Sequence, residues 1–133
     1  MPGYVTQNMS LEEIVRTLNQ KFYTAEFEPD YTGTNVTSAY GKYQRVGDIV
    51  FVMYRFIGTN VTFTTSNYIT LPIKALNRKN NATELFFPSS NFDFNNSAGT
   101  YLSRGHQIDD TNRIAPDTNS VANEMIVSGY YFV

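Results

Sequence analysis

Between Gly47 and Gly58 the chain reads GDIVFVMYRFIG, and no other stretch limits the possible folds so tightly. An extended strand sends alternate side chains to opposite faces. Val50, Val52, Tyr54 and Phe56 make one face; Ile49, Phe51, Met53, Arg55 and Ile57 make the other. Strands of a small antiparallel domain ordinarily keep one face apolar and the other polar. Both faces here are mostly apolar, so the strand needs a core on one side and a second cover on the other. That cover is either the stripe of a helix or the same strand face in neighbouring copies around a rotation axis. Neighbouring copies are favoured. Burying an Ile, Phe or Met side chain contributes roughly 1.5–3 kcal/mol. Left wet, Ile49, Phe51 and Met53 would form an adhesive, strand-shaped patch. Arg55, at the end of this face, suits an interface rim, where charge is tolerated. Ile49, Phe51, Met53 and Arg55 are therefore the expected subunit interface.

The rest of the chain supplies one helix and many strands. Ser10 followed by Glu13 has the spacing of a capping box. Leu11, Ile14, Val15, Leu18 and Phe22 then recur with helical period, which predicts a helix over about residues 10–23. After Pro29 the chain is rich in Thr, Val, Tyr and Phe, in short stretches broken by Gly, Asn, Pro and Ser. That texture belongs to an all-β sandwich or barrel. The expected strands are 35–45, 48–57, 61–64, 68–73, 84–87, 91–94, 100–105 and 123–133, with a turn at Gly58-Thr59-Asn60 and a long loop over 109–120. The expected fold is mainly β: an antiparallel β-sandwich, jelly-roll-like, with one short N-terminal helix. Residues 1–30 form an N-terminal helical attachment segment, and residues 31–133 the sandwich domain.

Composition removes several functions. The chain has 133 residues, enough for one domain, with 41% hydrophobic but only 17% charged residues and a net charge of −2. Its polar surface must come largely from Asn, Thr and Ser. Nucleic acid is not an expected partner, because phosphate binding needs clustered Lys and Arg; Lys74, Arg78 and Lys79 read as a solvated loop. There is no cysteine, so no disulfide or thiolate metal site. MPGYVTQNMS has neither a basic nor an apolar signal region, and no apolar run approaches the roughly 20 residues of a membrane helix. Synthesis in a cytoplasm without membrane insertion is expected.

Chemistry-bearing motifs are sparse. His106, the single histidine, lies near Ser103 and Asp109, but no GxSxG-type turn accompanies it, and a structural or surface role is favoured. Asp93, Asp109 and Asp110 lack the alternating spacing of a calcium loop. The carboxylates Asp93, Glu124, Asp109 and Asp110 show no spacing that argues for a glycosidase pair. Five Asn-x-Ser/Thr triplets, at Asn8, Asn35, Asn60, Asn81 and Asn95, are what an Asn- and Thr-rich chain produces by composition. No catalytic residue, metal or cofactor is expected. Aromatic rings beside Asn, Asp and Arg are the chemistry of sugar binding, since a ring face stacks on C–H groups while polar groups fix the hydroxyls. Tyr101, Arg104, His106, Asp109, Asp110 and Arg113 form the one candidate ligand patch.

Three pieces of the sequence occur in a recognisable order. Tyr43, Arg45, Gly47 and Val50 lead the long strand; Leu71-Pro72 ends a later one; Ser128, Gly129 and Tyr131 mark the last. From about Ala39 onward this arrangement resembles the C-terminal β-rich domains of bacteriophage tail fibres, receptor-binding proteins and related virion appendages, with a poorly matched middle over 74–120. Such domains usually hang on a long fibrous shaft, whereas about thirty residues and one helix precede the β region here. Either an excised domain or a small virion protein fits. The resemblance implies a β-sandwich that works as a homotrimer in a virion. The expected function is a non-enzymatic phage appendage, at a tail fibre, spike or baseplate tip, that recognises host surface polysaccharide, with loops over 74–120 carrying recognition. The alternative is a capsid decoration, head-fibre or collar protein. In either case the N-terminal segment is expected to dock onto other virion proteins.

Overall fold

The computed structural model describes residues 9–75, 92–108 and 112–133. Its first element is a helix, α1, over Leu11–Lys21. The Ser10 hydroxyl accepts a hydrogen bond from the Glu13 amide at 3.2 Å, as the capping spacing requires. The helix is shorter than its apolar period suggested, because Phe22 already belongs to a strand. The FYTAEF stretch alternates, and its six residues pair antiparallel with residues 41–46. A full ladder of backbone bonds outweighs one more helical turn. This strand is β1, Phe22–Phe27.

Two long strands follow, β2 (Thr34–Val46) and β3 (Ile49–Phe63). The turn expected at Gly58-Thr59-Asn60 is instead a bulge inside β3, where the register slips between Ile57 and Val61. Asn60 and Asn35 both adopt positive φ, at 54° and 64°. The Asn35 side-chain amide donates to the Asn60 carbonyl, and the Asn60 amide donates to Asn123 Oδ1. Turn-forming residues are used to bend a strand rather than to reverse it. Gly58 is held by space: a Cβ there would lie 1.9 Å from the Asn35 carbonyl oxygen.

The remaining strands are β4 (Ile69–Thr70), β5 (Phe92–Asn96), β6 (Tyr101–Gln107), β7 (Arg113–Pro116) and β8 (Ser120–Phe132). β4 is shorter than the expected 68–73. β7 falls inside the stretch expected to be loop; its Pro116 ends the strand, where a missing N–H costs least. The strand expected at 84–87 lies outside the described residues.

The eight strands among the described residues form one antiparallel sheet in the order β1-β2-β3-β8-β5-β6-β7-β4. The sheet curls until its last strand meets the segment between β1 and β2. Tyr31 bridges to Ile69, the Thr32 amide donates to the Tyr68 carbonyl, and the Thr70 amide donates to the Asp30 carbonyl. Two halves of the sheet thus face each other across one core, in the manner of a sandwich, and the chain is mainly β with one short helix among the described residues. The inner row of β3, with Val50, Val52, Tyr54, Phe56 and Phe63, is fully buried against Phe92, Phe94, Ile114, Met125, Val127 and Tyr131. Rings pack closely inside: Phe56 lies 4.9 Å from Phe63 and 5.0 Å from Tyr31 between centroids. Two phenols stitch the halves together. Tyr54 donates to the Thr70 carbonyl, and Tyr131 donates to the Ile73 carbonyl while accepting from its amide.

Candidate functional site

With Val50, Val52, Tyr54 and Phe56 inside, Ile49, Phe51, Met53 and Arg55 must point outward. The pairing registers set their neighbours in cross-strand rows. The first row is Phe22, Val46, Ile49 and Phe132, apolar throughout. The second is Thr24, Gln44, Phe51 and Tyr130; the third is Glu26, Lys42, Met53 and Ser128, extended by Asp93 and Arg104. Phe51 and Tyr130 sit 6.0 Å apart between ring centroids, and Tyr130 and Phe132 6.1 Å. Phe51 is 47% exposed and Phe22 52%. An open depression of about 510 Å³ lies over this face, lined by Phe51, Met53 and Tyr130 with Thr24, Lys42, Gln44 and Ser128.

Farther along the strands the face turns polar. Tyr40 donates to Glu26 at 2.9 Å, which raises its phenol above the ordinary range. Arg55 Nε donates to Glu124, so the one charged member of the expected interface sits in an ion pair at the end of the apolar rows. The face therefore divides into an apolar half beside α1 and a polar half away from it.

The helix does not cover the apolar half. It continues directly into β1 and is pinned at its C-terminal end: the Gly47 amide donates to the Lys21 carbonyl, and Lys21 Nζ lies 2.7 Å from Asp48 Oδ1. Thr17 is its buried residue, with Ile14 and Lys21 half-buried on the same side. The stripe read from the sequence splits accordingly. Ile14 turns inward, while Leu11, Val15, Leu18 and Phe22 stay exposed, Leu11 at 77%.

The expected ligand residues are partly brought together. Arg104 and His106 share the outer side of β6. His106 Nδ1 lies 2.6 Å from Asp117 Oδ1, a partner the sequence reading did not name. Arg113 stacks over Tyr68 at 3.9 Å, and its carbonyl accepts from the Ile108 amide beyond the far end of β6 from Tyr101. About 20 Å of strand therefore separates Tyr101 from Arg113. Asp109 and Asp110 lie outside the described residues. Ser103 points inward, its hydroxyl donating to the Arg104 carbonyl and accepting from the Thr118 amide, whereas His106 points outward. The two cannot act on one substrate. Among the described residues no three His, Cys, Asp or Glu side chains cluster as metal ligands.

The residues that sequence reading missed are Tyr130 beside Phe51 and Phe132, Val46 and Phe22 in the row of Ile49. The alternation in SGYYF was a usable signal, but only the register shows which outer residues share a row. Compared with known protein families, curated proteins and solved structures, the chain matches none.

Proposed function

We propose that this chain is a subunit of a bacteriophage appendage, at a tail fibre, spike or baseplate tip, that works as a homotrimer and binds host surface saccharide. One observation carries the reading: on the apolar half of the outer face, the described residues leave Phe22, Val46 and Phe51 exposed and Ile49, Met53, Tyr130 and Phe132 only half-buried. A face of this kind on a sheet invites association, and sister copies are the cover that leaves no sticky surface. The three-fold symmetry and the virion setting rest on the sequence resemblance. Arg104 and half-buried His106 on the outer side of β6, with Tyr101 exposed at its start, offer aromatic and polar groups for sugar contacts, and Arg113, stacked on Tyr68 beyond the other end of β6, offers a separate one. Three weak sites on one rigid particle gain through effective concentration, so single-site affinity can be low.

The test is the mass in solution by light scattering, joined to a glycan array on the same sample. A trimer that Phe51→Asp converts to folded monomer, and that binds host polysaccharide unless Tyr101 is changed to Ala, is the expected result. A wild-type monomer at tens of micromolar overturns the assembly. A trimer that binds no surface polymer of any host overturns the saccharide role.

A further inference from the structure

We infer that the outer face of β5 and β6 seats an uncharged sugar ring, with Tyr101 stacked on it and Asp93, Asn95 and Arg104 on its hydroxyls. The inference rests on the saccharide reading and names the seat and the class of sugar. Asp93 and Asn95 join the site through the strand register: Asp93 pairs with Arg104, and Asn95 with Tyr101. One irregularity puts the ring there. The register slips between Phe94 and Asn95, because Leu102 is an extra residue in β6. Strict alternation from Arg104 would turn Leu102 outward and Tyr101 into the core. The bulge reverses the two: Leu102 packs against the core, and Tyr101 is 56% exposed on the outer face. Bulges recur where a strand re-aims a side chain beside a working site.

The groups beside the ring suit a sugar edge. Asp93 and Arg104 are exposed and Asn95 is half-buried. An ionised carboxylate only accepts, a guanidinium only donates, and a side-chain amide does both. Neighbouring hydroxyls, each donor and acceptor, therefore find partners of either kind. The charges around the seat also balance. Arg104 stands opposite Asp93, and Arg55, in the cross-strand row of Ile126, Asn95 and Tyr101, is paired with Glu124. An acidic sugar would meet the Asp93 carboxylate as a like charge, which selects for an uncharged one. The seat does not compete with the proposed contact between copies. β5 and β6 lie two and three strands from β3, about 10 and 14 Å at ordinary strand spacing.

The test uses the full chain on a glycan array that carries both uncharged saccharides and saccharides bearing carboxylate or sulfate. Wild type is expected to bind uncharged glycans. Tyr101→Ala and the nearly isosteric Asp93→Asn are each expected to weaken that binding by roughly 10- to 100-fold, with an unchanged circular dichroism spectrum. Tyr101→Phe keeps the ring and is expected to bind as wild type does, as is Arg113→Ala, whose side chain stacks on Tyr68 beyond the far end of β6. Full binding by a folded Asp93→Asn or Tyr101→Ala, or loss on Arg113→Ala alone, overturns this seat and leaves the saccharide reading standing. Preference of wild type for acidic glycans overturns the choice of an uncharged sugar. Binding of no glycan by wild type overturns both the seat and the reading beneath it.

Discussion

Tyr54 and Tyr131 bury their rings in the core and spend their hydroxyls on backbone groups of residues 70–73, across the molecule from their own strands. Burial pushes both phenols above their ordinary value of 10.0. The sign of the pH effect follows. Below about pH 10 the folded and unfolded chains both keep these protons, and stability does not depend on them. Above it the unfolded chain ionises while the folded chain does not, so stability falls by up to about 1.4 kcal/mol per pH unit for each tyrosine. Urea midpoints are expected to hold level from pH 7 to 9 and drop beyond pH 10. Tyr131→Phe should make that drop shallower while lowering stability at pH 7 by about 1–3 kcal/mol, since both polar groups of Ile73 lose a partner.

Gly58 links the residue to the strand. Its missing Cβ admits the Asn35 carbonyl into the β3 bulge, and backbone cannot swing aside as a side chain can. Gly58→Ala is expected to cost about 1–3 kcal/mol, visible as a lower thermal midpoint, while Gly47→Ala is disfavoured by its positive φ rather than by crowding. Most of the strands were legible in the sequence, because alternation and β-branched content are local signals. Three features were not. The end of α1 was hidden because Phe22 satisfies the helical period and the strand alternation at once. The β3 bulge used Gly, Thr and Asn, the vocabulary of a turn. β7 was masked by Pro116 and polar neighbours, though its Ile114 and Ala115 are buried. Each ambiguity was local and was resolved by a partner distant in sequence: β2, Asn35 and β6.

For the whole molecule, the fold class was legible and the site only half so. The two-faced character of Ile49–Ile57 gave away an outer apolar surface, but its width depended on Phe22, Val46, Tyr130 and Phe132, which lie up to about eighty positions away. The ligand patch fared less well, because nearness in sequence along β6 and β7 did not become nearness in space for Tyr101 and Arg113. If copies associate through the apolar half, heat stability depends on how much protein is present. A tenfold rise in concentration is expected to lift the midpoint by roughly 2–5 °C, and Phe51→Asp to abolish that dependence. The same layout has a mechanical side. Phe22 and Phe132 lie on one cross-strand row, so the path into β1 and the path out of β8 meet the sheet at the same end. Tugging those two paths apart peels rungs one after another. A load between that end and the opposite turns runs lengthwise and sets whole ladders in shear. The molecule is thus weak when its ends are teased apart and stiff when it is strained from base to tip.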